Sequence, residues 1–137
     1  MASSRNETQI TWSAANSVTV SSATRVASDA LAFPSVEDWD GMVQVNADNA
    51  SSPLSGDVCD VFVVYTSGDV LGDSGDDYDT SGHATFLGRL DTYTEDPARG
   101  TFPVNTAAKG LKIVLSCPQA ASRNVVVRAR LITHRPQ

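Results

Sequence analysis

The sequence predicts an all-β protein, an antiparallel two-sheet β-sandwich of jelly-roll-like type with a flexible N-terminal arm. Three observations point there. Apolar and polar residues alternate with period two in several stretches, and β-branched residues fill them. Turn-rich Gly, Asp, Ser and Pro segments separate those stretches at short intervals. No stretch shows a convincing amphipathic helical period, and residues 24–33 offer one helical turn at most. At 137 residues the chain is one domain, long enough to bury a core. The expected division is an arm at residues 1–9 and a sandwich at 10–137.

Taken in order, the Ser-rich start MASSRN reads as the arm. Ile10 and Trp12, then Val18 and Val20, predict a hairpin turning near Ala15 and Asn16. Val43, Val45 and Ala47 alternate with Gln44, Asn46 and Asp48. In VCDVFVVYT, residues 58–66, Cys59, Val61, Val63 and Tyr65 form an apolar set. Phe62 and Val64 lie on its other face beside Asp60, which predicts a strand covered on both sides. Phe86 and Leu90 mark a strand at 83–91. Thr101 to Val104 is edge-like, because Pro103 cannot donate to a central ladder. GLKIVLSC, residues 110–117, turns Leu111, Ile113, Leu115 and Cys117 inward. RNVVVRARLITHR, residues 123–135, puts Val125, Val127, Ala129 and Leu131 on the core face. Val126, Arg128, Arg130, Ile132 and His134 fall on its mixed outer face.

Charged residues make up 19% of the chain, below the usual ~25% for soluble proteins. A lightly charged surface points to burial or assembly. The net charge of -6 is unevenly spread. Residues 1–28 sum to +1, residues 29–96 to -14, and residues 97–137 to +7. Such asymmetry marks either an interaction surface or internal neutralisation between neighbouring segments. Seven spread bases in an acidic chain make no phosphate-tracking stripe, so nucleic acid is not an expected partner. The start lacks a basic residue cluster followed by an apolar run, and no segment approaches ~20 apolar residues. The expectation is synthesis in a cytosol, with no membrane partner. Cys59 and Cys117 are then buried thiols, with a disulfide between facing strands as the alternative.

The stretch GDVLGDSGDDYDTSGHATFLG, residues 68–88, holds the chemical candidates. GDSG at 72–75 matches the nucleophile motif of chymotrypsin-like serine proteases, with Ser74 in the attacking position. No histidine precedes Ser74, and Asp76 and Asp77 would oppose a developing oxyanion. A GDS-type esterase would want an aspartate three residues before a late histidine, where Leu131 precedes His134. His83 stands alone at a strand start, no two acids stand out as a glycosidase pair, and no glycine-rich cradle precedes a helix. No catalysis and no resident cofactor is the expectation. Calcium is a fairer proposal for Asp69, Asp73, Asp76, Asp77 and Asp79, although their spacing departs from the EF-hand loop. An ordinary solvated acidic loop competes with it. Trp39, Tyr78 and Tyr93 are the aromatics left over for stacking on a sugar.

From Asp57 onward the texture resembles the decoration or cement proteins of tailed bacteriophages. The shared features are an apolar strand ending in Tyr65-Thr66, the acidic Gly/Asp/Ser loop, and the Phe86-Leu87-Gly88 strand. The Asp91-Thr92 turn and Glu95-Asp96-Pro97 before a Thr-x-Pro strand complete it, so the resemblance spans residues 57–135. It implies a virion protein bound to the capsid exterior, assembled in the host cytoplasm as a homodimer or homotrimer. It would clamp neighbouring subunits of the major capsid protein. Val126, Arg128, Arg130, Ile132 and His134 are then the expected contact residues. The alternatives are another virion component, such as a tail or fibre adaptor, and a glycan-binding adhesion module.

Overall fold

A computed structural model describes residues 4–34, 39–50, 52–79, 84–119 and 124–135. Among these the chain forms eleven strands and no helix: β1 (Ser4–Gln9), β2 (Val18–Val20), β3 (Thr24–Ala27), β4 (Leu31–Ala32), β5 (Asp40–Asn49) and β6 (Val58–Gly68) come first. β7 (Asp77–Tyr78), β8 (Thr85–Asp91), β9 (Ala98–Val104), β10 (Gly110–Cys117) and β11 (Val125–Arg135) follow. All pairings are antiparallel. The first sheet runs β1-β11-β5-β9, with β2 sharing the β1 edge of β11. The second runs β3-β10-β6-β7, with β4 beside β3 on β10 and β8 beside β7 on β6. This is the two-sheet all-β architecture that the alternation predicts.

The core lies between the sheets. Val125, Val127, Ala129 and Leu131 from β11 meet Leu111, Ile113, Leu115 and Cys117 from β10, and all are buried. Val43, Val45 and Ala47 of β5 and Cys59, Val61 and Val63 of β6 complete it. The second face of β6 is also covered, as its sequence predicts. Asp60 receives a two-pronged hydrogen bond from Arg89, at 2.6 and 2.9 Å. Phe62 meets Phe86 edge-on at 5.4 Å while the Arg25 guanidinium lies 4.6 Å above its ring. Between β8 and β9 the Phe102 ring fills the space that side chains would take at Gly88 and Gly100. A methyl group on Gly100 would come within 2.8 Å of that ring and of Leu90.

Four sequence expectations change. The arm expected over residues 1–9 is a strand from Ser4 to Gln9, registered against Arg130–Arg135. Its polar composition hid it, because β1 borrows the open edge of β11 and needs no apolar face of its own. The hairpin at 10–20 does not form as drawn. Trp12 and Ala15 close a tight turn, while Ile10 donates to Ala129 O and Val18–Val20 pairs with β11. Residues 24–33 make β3 and β4 instead of a helical turn. Between these two strands the Ser28 hydroxyl accepts from Ile113 N at 2.9 Å, keeping the β10 ladder satisfied across the break. Finally, the edge strand at 101–104 begins earlier, at Ala98, and does lie at a sheet edge.

Asp29 fixes the tight turn. Its carboxylate accepts from the Thr11 hydroxyl at 2.7 Å and from the amides of Ser13 and Ala14 at 3.0 and 2.9 Å. Both of those turn residues hold positive φ, 47° and 67°.

Candidate functional site

Strand β11 is flanked by β5 on one side and by β1 and β2 on the other, so its outward residues sit in the middle of a broad sheet face. Register builds that face in cross-strand rows. Arg128 stands beside Asn46, which stands beside Arg99. The next row reads Gln9, Arg130, Gln44, Thr101, and the one after it Glu7, Ile132, Met42, Pro103. His134 stands beside Asp40, and their side chains approach to 3.8 Å. Val126 lies at the other end, opposite Asp48 and Thr19. The five residues singled out in the sequence therefore share one face. Arg128 and Arg130 are exposed, while Val126, Ile132 and His134 are half-buried.

The two arginine rows line a cleft of about 520 Å³. Arg130 reaches Glu7 only at 3.7 Å, and among the described residues Arg99 and Arg128 pair with no carboxylate. A second hollow of about 490 Å³ adjoins it, sharing Thr101 and floored by Met42 and Pro103. The arrangement can hold a partner with carboxylates and a small apolar group. Sequence reasoning missed Arg99, Gln9 and Thr101. Gln44 and Asn46 were visible as the polar set of their strand, but register alone brings them beside Arg128 and Arg130.

The acidic loop between β6 and β7 lies on the second sheet. Asp69, Asp73 and Asp77 bring carboxylate oxygens within 4.8 Å of one another. Asp76 turns away to Lys109 at 2.7 Å, and Asp79 is a separate exposed residue whose amide donates to Tyr65 O. The clustered oxygens are engaged by the backbone. Asp69 accepts from the amides of Gly72, Asp73 and Ser74, and Asp77 from those of Val70 and Leu71. The carboxylates fold the loop on itself, and the same lone pairs would be needed by a calcium ion.

Hydrogen bonding also sets the acidity of three turns. The Ser74 amide, with those of Asp73 and Gly72, holds the Asp69 carboxyl below its usual range. The Ala14 amide and the Thr11 hydroxyl do the same for Asp29, and the Thr94 amide and hydroxyl for Asp91. A carboxyl that ionises more easily when folded stabilises the fold above its unfolded value, near pH 4. That contribution is lost as pH falls through the folded values. The melting temperature is expected to be insensitive to these groups near neutrality and to fall below about pH 4. Substituting all three by Asn should flatten part of this acid limb in thermal melts, and an unchanged limb would contradict the assignment.

Ser74 sits in the exposed loop with a φ of 73°. His83 lies outside the described residues, and His134 is on the other sheet. Cys59 and Cys117 are free, buried thiols, and their mutual hydrogen bond together with burial pushes the Cys59 thiol up. Trp39 is 72% exposed beside the Val104 end of the first sheet. Tyr93 is 49% exposed on the turn after β8, at the end where Asn49 and Asp57 meet. Tyr78 is half-buried under the Lys112 ammonium, 4.7 Å from its ring centre. The three aromatics share no stacking platform.

No family model and no curated protein matches the sequence. Some solved structures resemble this chain. VP2 of infectious bursal disease virus, crystallised as a subviral particle, matches over 97% of this chain at 11% identity with a TM-score of 0.50. The chain spans about a third of that protein, 32% of its length. The Gt strain of the same virus gives 10% identity and a TM-score of 0.48 over 96% of this chain and 32% of that one. A crystal structure of FLHE gives 13% identity and a TM-score of 0.47 over the full length of both chains. The fold is thus the two-sheet antiparallel sandwich also found in a viral particle protein. At these identities the likeness is one of fold.

Proposed function

We propose that this chain is a structural protein of a virion, without catalytic activity, that binds the capsid exterior and stabilises the shell by gripping its neighbours. The neighbours are subunits of the major capsid protein and further copies of the chain itself. The observation that carries the reading is the outer face of the first sheet. An ordered strand array presents Arg128, Arg130 and Arg99 beside half-buried Ile132 and exposed Met42, and among the described residues the arginines find little or no acidic partner. Arginine beside apolar surface is the composition of a protein contact. The sandwich fold shared with a viral particle protein supports the same reading.

Many weak contacts on a closed symmetric shell add up, so each interface can be modest. The test is cosedimentation with expanded, undecorated shells assembled from a tailed-phage major capsid protein. Saturable binding and a higher shell rupture temperature are expected. A chain that remains in the supernatant at all concentrations, leaving rupture unchanged, overturns the reading.

A further inference from the structure

We infer that the outer face of the first sheet receives the β6–β7 loop of a second copy, so that copies join head to tail. This rests on reading that face as a contact surface, and it does not require a shell. Two kinds of complementarity carry it. The first is charge. Arg128 and Arg99 stand two strands apart, roughly 10 Å, across Asn46. Among the described residues each offers a guanidinium fork with no carboxylate to take it. The loop carries exposed Asp73 and Asp76, and among the described residues it meets one cation, Lys109.

The second is shape and polarity. Val70 and Leu71 are each 76% exposed at the tip of that loop, although their backbone amides are pinned by Asp77. The backbone beneath these two apolar side chains is already held by the loop's own carboxylates, so docking leaves less of it to order. The face offers them the hollow floored by Met42 and Pro103, next to the arginine cleft. An apolar pair beside acids thus meets a hollow floored by Met42 and Pro103, rimmed by Asp40 and His134 on one side and adjoining the arginine cleft through Thr101 on the other. Within one molecule the loop belongs to the second sheet, and among the described residues no ion pair joins it to Arg99, Arg128 or Arg130. Donor and acceptor surfaces differ, so the contact is heterologous and closes into a ring or extends as a filament.

Sedimentation velocity on the full chain alone, from micromolar to millimolar concentration, tests this. The average mass should rise with concentration and fall back in high salt, which screens exposed charges. Arg99→Glu with Arg128→Glu removes the acceptor face, and Leu71→Ser with Asp73→Lys removes the donor loop while sparing Asp69 and Asp77. Each double variant is expected to lose at least about tenfold in self-affinity, about 1.4 kcal/mol. An equimolar mixture of the two should form one-to-one dimers, because one intact loop and one intact face remain. Should the Glu variant melt early, Arg99→Gln with Arg128→Gln replaces it. A parent that stays monomeric throughout, a loop variant that assembles like the parent, or a mixture that stays monomeric overturns the inference. One-to-one dimers from a chain that ignores shells would support it while sinking the virion reading.

Discussion

Replacing Ile113 with alanine is expected to destabilise the protein by about 3–4 kcal/mol, the range of large-to-small changes in a packed core. Ile113 is completely buried in the middle of β10, opposite Val63 of β6. The substitution removes three carbons, worth roughly 0.8 kcal/mol each in transfer from water. The remainder is the cavity, which a close-packed interior between two sheets collapses only partly. The backbone around it is also committed, since Ile113 N donates to the Ser28 hydroxyl and its carbonyl accepts from Ser28 N at 2.8 Å. A domain of this size holds ~5–15 kcal/mol in all, so the change is a large fraction of the total. Urea denaturation should show a lower midpoint with an unchanged slope. Val126→Ala, on the outer face of β11, serves as the contrast and should cost under about 1 kcal/mol. If both variants unfold with the parent, β10 does not lie at the centre of the core.

That contrast shows which part of the fold the sequence makes legible. Strict alternation in β5 and β11 separates buried from outward residues almost one by one, because a strand has a period of two and its core face tolerates only apolar groups, whereas β6 and β10 are covered on much of both faces. Pairing is another matter. β1 pairs with β11 across most of the chain, and nothing in SRNETQ announces it, since a polar strand on a half-exposed edge obeys no apolar pattern. The breaks between β3 and β4 follow from Ser28 replacing a main-chain partner, an event of tertiary structure.

The candidate face divides in the same way. Its β11 members were legible from alternation alone. Arg99 was not, because it follows Asp96-Pro97-Ala98 in a turn-like segment, and only the β5–β9 register sets it beside Asn46. In the acidic loop, composition showed the aspartates but not their work. Asp69 and Asp77 are occupied in capping amides, which depends on a loop conformation that spacing does not encode.

Asp57 was the least legible residue of all, and replacing it carries the second large effect. In sequence it is one more acid ahead of a strand; in the structure it is wholly buried at the corner where the two sheets meet. Its Oδ2 accepts from Asn49 Nδ2 at 3.0 Å and from Leu54 N at 2.9 Å. Its own amide donates to Leu54 O, and its carbonyl accepts from Thr92 N, each at 3.0 Å. It therefore links the end of β5, the turn before β6 and the end of β8. Asp57→Ala removes the acceptor of the buried Asn49 side-chain amide, at about 1–3 kcal/mol, and of the part-buried Leu54 N–H, at about 1 kcal/mol, so a loss of about 2–4 kcal/mol is expected. Asp57→Asn keeps one acceptor oxygen in place and should lose less. The expected order in urea denaturation is parent, then Asn, then Ala. The aspartate lies on the chain's inner corner, away from Arg99 and Arg128, so folded Asp57→Asn protein should sediment like the parent. An alanine variant as stable as the parent would mean that the corner is held by the strands alone, and that the buried carboxylate organises nothing.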